Sequence, residues 1–431
     1  MAARVSESPP QRDAGALAVS MRTLGCKVNR ADSERIAAEL MGCGVRLTDE
    51  ADARVVVINT CTVTSEADRK ARKAVRHALE LPLSPVVVVT GCLAALDAEG
   101  LEALGDRVAV EADRDAVHQR VAALLGAAPG GAVAARAGEA FRTRVAVKVE
   151  DGCDAFCAYC IVPYARGVPR SVPVEEVSAE VSHLVASGTA EVVLTGINIG
   201  KYRSGGVGLP GLVESVAATG VGRIRLSSIE PLDLTSELLG VLSKTSQVCP
   251  HLHVPLQSGS DAVLTAMGRG YTAAEYVGRL DAARAALPGV SITTDVMVGF
   301  PGESEADFEA TRTLVSQAGL SRLHVFRYSK RAGTRAATMD RQVPPDISAG
   351  RAATLRAEDA RLRREWAGAR LGQEAEVLVE RLVADADGVA AIGTTGDYLT
   401  ARLDGAGLSC GDLVRVRVGR ELAGQVVAER F

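Results

Sequence analysis

The sequence predicts an α/β protein built from a parallel α/β domain, a partial (βα)6 barrel and a small antiparallel β-barrel. Along most of the chain, short β-branched runs alternate with amphipathic segments, which is typical of parallel strands joined by crossover helices. After residue 369 the pattern changes to closely spaced alternating runs punctuated by glycine and aspartate, which favours antiparallel strands. A length of 431 residues also favours several domains over one.

The first predicted domain spans residues 17–127 and follows a polar tail, residues 1–16, that we expect to be disordered. Each of its three candidate strands runs directly into a cysteine: Cys26 in TLGC, Cys61 in INTC and Cys92 in VTGC. Because functional loops of open parallel sheets gather at the carboxyl ends of the strands, these cysteines are candidate site residues.

An Ala- and Gly-rich linker is predicted at 128–140, followed by a barrel domain at 141–369. Its six strand candidates are VAVKVE, EVVLTG, RIRLSS, HLHVPL, ITTDVMVGF and RLHVFRYS, and helical segments separate them. An active site is expected at the carboxyl ends of such strands. The last domain, 370–431, has the pattern of a small barrel of the kind that often holds oligonucleotides.

Composition indicates the cellular compartment of the protein and the kind of chemistry that its cysteines can perform. The polar start of the chain lacks the apolar core of a secretory signal, and no stretch of about 18 apolar residues occurs, so we expect a cytoplasmic protein without a membrane partner. Stable disulfides are uncommon in that reducing compartment, and the nine cysteines therefore favour metal or redox chemistry. A net charge of -4 means that any nucleic acid would be bound by local basic patches.

The strongest motif is GCDAFCAYC, which spaces Cys153, Cys157 and Cys160 as C-x3-C-x2-C directly after the first predicted barrel strand. Three thiolates can hold a 4Fe-4S cluster and leave one iron open for another ligand. A zinc site and three unrelated buried thiols are the alternatives. Zinc is disfavoured because it usually takes four ligands in paired spacing, and no fourth Cys or His lies nearby in the sequence.

This loop on a strand-helix barrel resembles the radical S-adenosylmethionine superfamily. The resemblance implies that the open iron chelates the amino and carboxylate groups of S-adenosylmethionine, and that reductive cleavage yields a 5'-deoxyadenosyl radical. Tyr159, directly before the third cysteine, could then face the adenine ring of the cofactor, although a core or surface role is equally open.

The segments TLGCKVNRADSE, INTCTVTSEADRKARKAVR and TGCLA together resemble the three cysteine signatures of the methylthiotransferases. The resemblance implies that Cys26, Cys61 and Cys92 ligate an auxiliary 4Fe-4S cluster. Without it, small thiols packed under the sheet would be an adequate explanation. The remaining cysteines match no cluster position and are interpreted as structural: Cys43, Cys249 and Cys410.

Further barrel segments, LTGINIGKY, LSSIEP, HLHVPLQSGSD, TTDVMVGFPGE and FRYSKRAGTRA, resemble the same family. In that setting Gly196 and Asn198 lie where the backbone turns toward the cofactor, and Ser228 and Glu230 could bond its ribose hydroxyls. A turn glycine and a solvated glutamate are the plainer interpretations. Two more polar residues at predicted strand ends could face the barrel mouth or merely stabilise its interior: Gln257 and Asp295.

Basic residues cluster in RKARKAVR and in RYSKRAGTR, and either run could contact phosphates or form a solvated surface. The candidates for RNA contact are Arg69, Lys70, Arg72, Lys73, Arg76, Arg327, Lys330, Arg331 and Arg335. The terminal domain resembles the OB-like TRAM module that binds RNA. It carries more acids than bases here, so a purely electrostatic role is not expected.

Members of the family modify isopentenyladenosine in tRNA, threonylcarbamoyladenosine in tRNA, or an aspartate of a ribosomal protein. TLGCKVN resembles the threonylcarbamoyladenosine branch. The resemblance thus implies methylthiolation at C2 of adenosine 37 of tRNA, with S-adenosylmethionine, two 4Fe-4S clusters and an external electron donor similar to flavodoxin or ferredoxin. The sulfur source is unknown. A non-catalytic RNA-binding or electron-carrier protein is the alternative of another class.

Overall fold

The computed structural model describes residues 17–128, 143–385 and 388–431. The predicted tail, 1–16, and nearly all of the predicted linker, 129–140, lie outside the described residues. The described chain divides into two compact units, one of residues 17–62 and 66–128 and the other containing residues 63–65 and everything from 143 onward.

The first unit is a parallel sheet of five strands covered by helices. The strand order is β2-β1-β3-β4-β5. Its strands are β1 (Ala18–Thr23), β2 (Arg46–Leu47), β3 (Val55–Thr60), β4 (Val86–Gly91) and β5 (Val108–Val110). Its helices are α1 (Lys27–Gly42), α2 (Ser65–Leu79), α3 (Cys92–Leu96), α4 (Ala98–Glu102) and α5 (Val117–Leu125).

The continuous apolar run of β3 arises because both faces of the sheet are covered. Val56 and Ile58 pack into a core with the inner side of α2, whereas Val55 and Val57 pack on the opposite face against α1 and α5. A strand buried on both sides needs no polar alternation. The two short strands β2 and β5, of two and three residues, carry too little pattern to be predicted from sequence.

Six parallel strands in the second unit confirm the predicted partial barrel. They form two sheets, β12-β9-β6 and β13-β14-β15, which parallel bridges between Ser228 and His253 and between Ile224 and Val248 join into one series. These strands are β6 (Arg144–Lys148), β9 (Glu191–Thr195), β12 (Arg223–Leu226), β13 (His251–His253), β14 (Ser291–Val298) and β15 (Arg322–Arg327). Short two-residue strands complete the set: β7 (Glu150–Asp151), β8 (Arg170–Ser171), β10 (Arg203–Ser204) and β11 (Val207–Gly208).

Helices of the second unit alternate with these strands and cover the outside of the barrel with one large apolar core. They are α6 (Val162–Arg166), α7 (Val174–Ala186), α8 (Leu209–Ala217), α9 (Ser236–Lys244), α10 (Asp261–Met267), α11 (Ala273–Ala286), α12 (Glu305–Gln317) and α13 (Pro345–Ala369). Thr272 and Ser304 begin α11 and α12 with complete capping boxes, so the sequence itself sets where these helices start.

The chain ends in a closed barrel of five strands in the order β16-β17-β18-β20-β19. An odd number of strands cannot alternate in direction all the way around a closed ring, and the β18–β20 pair is accordingly parallel while the others are antiparallel. Sequence pattern found four of the strands and missed β17. The strands are β16 (Glu374–Asp385), β17 (Gly388–Thr395), β18 (Thr400–Asp404), β19 (Leu413–Leu422) and β20 (Gln425–Arg430).

A buried ionic cluster joins the amino-terminal end of the (βα)6 barrel to the terminal barrel. Glu191 and Arg225 are 0% and 1% exposed, and the Arg225 Nε donates to Glu191 Oε1 at 2.8 Å. Arg225 also donates to the carbonyls of Thr395 and Gly396 at 3.1 and 3.0 Å, and Tyr398 stacks on the His251 ring at 4.5 Å. The cluster satisfies buried charges that would otherwise be costly and fixes the terminal barrel in place.

Within the described residues, no helix is both long and apolar enough to cross a bilayer.

Candidate active site

The motif cysteines Cys153, Cys157 and Cys160 lie on one loop at the carboxyl end of the first barrel strand. Gly152 enters this loop with a φ of +93°, and a Cβ there would lie 2.2 Å from the Val168 carbonyl oxygen, so only glycine fits. The loop is held from both sides, because the Ala158 N–H donates to the Met267 carbonyl at 2.7 Å and the Ala158 carbonyl accepts from the Ala336 N–H at 2.8 Å.

The three thiols are close enough to influence one another. The pKa of the Cys160 thiol is raised to about 12, chiefly by burial and in smaller part by the neighbouring Cys157 and Cys153. Burial is also the main cause of the raised pKa of Cys153. Thiols of this kind stay protonated without metal and ionise when a cation replaces the proton. Three thiols on one loop fit a 4Fe-4S cluster that has three protein ligands and one open iron.

A charged network contacts this loop, and its central residue, Arg269, is not part of any motif recognised in the sequence. An Arg269 guanidinium nitrogen lies 3.4 Å from the Cys157 sulfur, and the same side chain pairs with Glu230 and lies 3.2 Å from the Tyr271 hydroxyl. Burial raises the pKa of Glu230, and Arg269 opposes that effect. The network therefore links a cysteine to Glu230, one of the residues that we expected to contact the cofactor.

Gly196 and Asn198 lie on the turn after β9, next to Glu150. The Asn198 N–H donates to Glu150 Oε2 at 2.8 Å, and a Cβ on Gly196 would lie 2.9 Å from the carbonyl oxygen of Glu150 and from its Oε2. The second carboxylate oxygen of Glu150 and the Asn198 Oδ1 are both buried, with no partner among the described residues. Polar atoms in that state are suited to receive a polar ligand.

Glu150 is fully buried, and burial raises its pKa from 4.5 to about 7. The folded chain therefore binds this proton more tightly than the unfolded chain. The contribution to stability is complete below about pH 4.5, falls as the pH rises to about 7 and is then flat. We expect the thermal midpoint of the metal-free protein to fall across this interval, by the equivalent of about 3 kcal/mol at most.

Glu150→Gln keeps the shape of the side chain and removes the titration, so its thermal midpoint should lose most of this slope. Differential scanning fluorimetry between pH 4.5 and 8 measures the effect. The exposed Glu214→Gln on α8 is the matched control. An equal slope in the wild type and in Glu150→Gln would contradict the assigned titration.

The other predicted barrel residues occupy varied positions, and Asp295, which was expected at a strand end, lies instead inside β14 (Ser291–Val298). Tyr159 is half-buried beside Met297 in an apolar cluster under the cysteine loop, and burial raises its pKa well above the usual value. Ser228 is half-buried at the bridge between β12 and β13. Gln257 adopts a φ of +68°, and its backbone bonds both Asp295 and Met297. Asp295 lies between two histidines, His253 and His324, each 3.2 Å from its Oδ1.

The other three cysteines converge within the first unit, at the carboxyl edge of its sheet. Cys26 precedes α1, Cys61 follows β3 and Cys92 begins α3 directly after β4. A Cβ built on Gly25 would lie 2.5 Å from the Cys61 Cβ, so the backbone next to Cys26 rests against Cys61. Adjacent parallel strands thus bring together residues that are far apart in sequence.

Two buried asparagines, Asn29 and Asn59, form hydrogen bonds with the backbone around this cysteine set. The Asn29 side chain donates to the Thr60 and Leu24 carbonyls at 2.8 and 3.0 Å, and the Cys26 sulfur lies 3.5 Å from its Oδ1. The Asn59 side chain donates to the Asn29 carbonyl at 2.8 Å. Asn29 lies in the segment TLGCKVNRADSE, but its role was not predicted because two of its partners, Asn59 and Thr60, come from another strand.

We predict that Gly25→Ala disrupts this site. A methyl group at position 25 would overlap Cys61, and the backbone there already has a φ of +111°. Iron content after anaerobic reconstitution should fall by about half, from two clusters to one. Gly44→Ala is the matched control, because Gly44 has a φ of +77° but nothing within 4 Å of the added carbon. Full iron loading of Gly25→Ala would contradict the prediction.

The basic residues divide according to their surroundings. On α2, Arg69 and Lys70 have side chains that are 80% and 66% exposed and pair only with the nearby Glu66 in the described ion pairs. Lys73 and Arg76 are exposed as well. Arg72 differs, because it pairs with Asp97 and donates to the Gly100 carbonyl at 2.8 Å inside its own unit. These internal bonds make it the least suited of the run to an RNA contact.

The second basic group follows β15. Arg327, Lys330 and Arg335 are exposed, and Arg331 is half-buried. The Arg335 guanidinium lies close over Gly268, where a Cβ would come within 2.8 Å of it, beside Arg269 of the cysteine network. This group therefore brings positive charge to the same edge of the barrel as the cysteine loop.

Comparison with known proteins assigns the family. Residues 147–315 match the model of the radical SAM superfamily, and residues 18–111 match that of Uncharacterized protein family UPF0004. The chain is 36% identical over 93% of its length to the threonylcarbamoyladenosine tRNA methylthiotransferase MtaB of Bacillus subtilis, of which it covers 93%. It is 38% identical over 93% of its length to a tRNA-2-methylthio-N(6)-dimethylallyladenosine synthase of Mycobacterium ulcerans, of which it covers 78%.

Among solved structures, the radical S-adenosylmethionine methyltransferase TsrM of Kitasatospora setae, with cobalamin and a [4Fe-4S] cluster bound, superposes with a TM-score of 0.57. The match covers 74% of this chain and 77% of TsrM at 14% identity, which shows a shared fold. The chain belongs to the methylthiotransferase family of radical S-adenosylmethionine enzymes.

Proposed function

We propose that this enzyme methylthiolates C2 of N6-threonylcarbamoyladenosine at position 37 of tRNA, using S-adenosylmethionine and two 4Fe-4S clusters. The observation that carries the proposal is the presence of two separate three-cysteine sets, each converging at the carboxyl ends of parallel strands. A relative that matches over 93% of both chains bears the name of this activity.

Cys153, Cys157 and Cys160 would hold the cluster at the barrel mouth, and Cys26, Cys61 and Cys92 would hold the auxiliary cluster. When bound, the first cluster and S-adenosylmethionine supply the radical that attacks an unreactive C–H bond, and the auxiliary cluster supplies the sulfur to be transferred. With three cysteines each, both sets would leave one cluster iron without a protein ligand, which is the condition for binding a cofactor or an extra sulfur.

The protein side chains bind and orient the cofactor and exclude water from the site. Arg269 lies against the Cys157 sulfur and neutralises part of the negative charge that a thiolate-bound cluster adds. Glu230, held by Arg269, and the unpaired oxygens of Glu150 and Asn198 provide acceptors for the hydroxyl and ammonium groups of the cofactor. Tyr159 and Met297 form an apolar wall that keeps water from a reactive radical.

The substrate would be held by phosphate contacts outside the barrel. Lys330 and Arg335 lie at the mouth, and the exposed bases of α2, Arg69, Lys70 and Lys73, offer point charges in the first unit. An external electron donor similar to flavodoxin or ferredoxin would provide the reducing equivalent for cofactor cleavage.

Incubation of the reconstituted enzyme with defined tRNA tests the proposal. An anticodon stem-loop with N6-threonylcarbamoyladenosine should yield its 2-methylthio derivative and 5'-deoxyadenosine, both measurable by mass spectrometry. The same RNA with N6-isopentenyladenosine should yield neither product above background. The reverse preference would overturn the proposed substrate.

Isopentenyladenosine is the second candidate substrate, and one observation favours it. The Mycobacterium ulcerans relative, which bears the name of a dimethylallyladenosine enzyme, is 38% identical to this chain, as similar as the threonylcarbamoyladenosine relative. That relative is longer, since the match covers 78% of it against 93% of the Bacillus subtilis protein. The matching length therefore supports the first candidate.

A further inference from the structure

Three side chains inside the barrel form a cluster that the cysteine chemistry does not use. His253 on β13, Asp295 on β14 and His324 on β15 place their ligand atoms within 4.8 Å of one another. His253 Nε2 and His324 Nδ1 each lie 3.2 Å from Asp295 Oδ1. The histidine rings stack with their centres 5.1 Å apart. We call this set the imidazole cluster.

Strand alternation places the imidazole cluster on the interior face of the barrel. Ile292, Val296, Leu323 and Val325 pack into or against the core between the sheet and its helices. Because successive side chains of a strand point to opposite faces, Asp295 and His324 project into the barrel. The register supports this, since Asp295 lies directly opposite His324.

The imidazole cluster neighbours the cofactor residues. Burial raises the pKa of Glu230, Arg269 opposes the effect, and the carboxylate of Asp295 is close enough to contribute to the increase. Arg269 in turn contacts Cys157 at 3.4 Å. Two residues further along the same face of β14, Met297 packs against the same apolar cluster as Tyr159. The imidazole cluster thus faces the space in which a substrate must meet the cofactor.

The two histidines differ in what they can offer a ligand. His253 uses both ring nitrogens, because its Nδ1 lies 2.8 Å from the Thr293 hydroxyl and its Nε2 faces Asp295. His324 has Asp295 at Nδ1, and no hydrogen bond or ion pair at its Nε2 occurs among the described residues. Its side chain is 37% exposed, against 9% for His253. His324 is therefore the member whose second nitrogen can bind a ligand.

An exposed aromatic ring lies two residues beyond His324 on the same strand. Phe326 follows His324 by two residues on the same face of β15 and is 47% exposed. An aromatic face stacks on a nucleobase, and an imidazolium that is oriented by a carboxylate donates a strong hydrogen bond to an anion. A stacking ring beside a donor suits a purine that carries an acidic substituent.

We propose that His324, oriented by Asp295, binds the carboxylate of the threonylcarbamoyl group while Phe326 contacts the adenine, and that this pair selects the acidic substituent at N6. The inference rests on the proposed function and adds the residues that read its substrate. His324 would bind in its protonated form, so that it donates to Asp295 from Nδ1 and to the substrate from Nε2. An apolar N6 substituent would leave that donor unpaired in the barrel.

The test compares two anticodon stem-loops that differ only in charge: one with N6-threonylcarbamoyladenosine and one in which its carboxylate is replaced by the neutral amide. The wild type should favour the carboxylate by about tenfold or more in Kd and in kcat/KM. His324→Gln should bind the carboxylate RNA about tenfold more weakly and the amide RNA nearly unchanged, so that the preference disappears. A preference that survives in His324→Gln would overturn the inference.

Control variants and measurements distinguish a loss of substrate preference from a disturbed fold. His183→Gln, on the exposed face of α7, should retain the full preference. Iron content and the Kd for S-adenosylmethionine should be equal in the wild type and in His324→Gln, since His324 is not among the residues assigned to the clusters or the cofactor. Asp295→Asn should weaken the preference partially, because it keeps a hydrogen-bond partner but loses the charge that stabilises the imidazolium.

Failure of the proposed function and failure of this inference would give different results. Activity on isopentenyladenosine RNA instead of threonylcarbamoyladenosine RNA would overturn the proposed function and this inference together. Equal activity on the carboxylate and amide RNAs would overturn only the inference. A zinc or iron ion beyond the two clusters, detected by elemental analysis and lost in Asp295→Asn, would identify the imidazole cluster as a metal site and would also overturn it.

Discussion

Cys157→Ala is expected to abolish cleavage of S-adenosylmethionine, by roughly a thousandfold or more. The remaining thiols, Cys153 and Cys160, cannot hold a cubane cluster alone, and the contact between Arg269 and the Cys157 sulfur is lost as well. Formation of 5'-deoxyadenosine after anaerobic reconstitution with a chemical reductant measures the effect. Cys410→Ala, at an exposed position of the terminal domain, should behave as the wild type.

Cleavage in the Cys157→Ala enzyme at the wild-type rate would remove the basis of the barrel-mouth site. Iron analysis adds a second readout. Loss of about half of the iron, with the absorbance of the other cluster retained, would show that only one of the two cysteine sets has been disturbed.

Cys61→Ala is expected to have the complementary effect. Cys61 is 7% exposed and rests against Gly25 next to Cys26, so its removal should empty the auxiliary site. The barrel-mouth cysteines are untouched, and formation of 5'-deoxyadenosine should remain within about twofold of the wild type. The methylthio product should fall below detection, because no sulfur is available for transfer.

A Cys61→Ala enzyme that still makes methylthiolated RNA would mean that the sulfur does not come from that site. Cys43→Ala is the matched control, since Cys43 is also in the first unit, at the end of α1, and belongs to neither set. It should form both products at the wild-type level.

The sequence was informative where chemistry depends on local spacing. C-x3-C-x2-C indicated one candidate site because its three cysteines lie on a single loop. The six barrel strands and the family were also predicted correctly, since long β-branched runs alternating with helices leave few other folds. The convergence of Cys26, Cys61 and Cys92 depended on resemblance and on their shared position at strand ends.

Contacts between residues that are far apart in the sequence could not be predicted from sequence pattern. Arg269 is 112 residues from Cys157, and the position carries no spacing signature. The imidazole cluster draws on three strands, and only Asp295 was singled out. Strand β17 was missed because glycine and alanine give weak strand signals. Gly393 is nevertheless required there, since a Cβ would lie 2.1 Å from the Leu378 carbonyl oxygen.

The role of Arg72 could not be predicted from the sequence for the same reason. In sequence it belongs to a basic run that could bind RNA, whereas in the structure it pairs with Asp97. Sequence shows that a charge exists and not what the fold places beside it. Charges at the site therefore have to be assigned one at a time from their partners.

The most direct test of the account is the nucleoside composition of tRNA from a strain that lacks the gene for this chain. Mass spectrometry should show loss of 2-methylthio-N6-threonylcarbamoyladenosine and accumulation of N6-threonylcarbamoyladenosine, and the wild-type gene should restore the first. Persistence of the methylthio nucleoside, together with loss of 2-methylthio-N6-isopentenyladenosine, would contradict the proposed substrate.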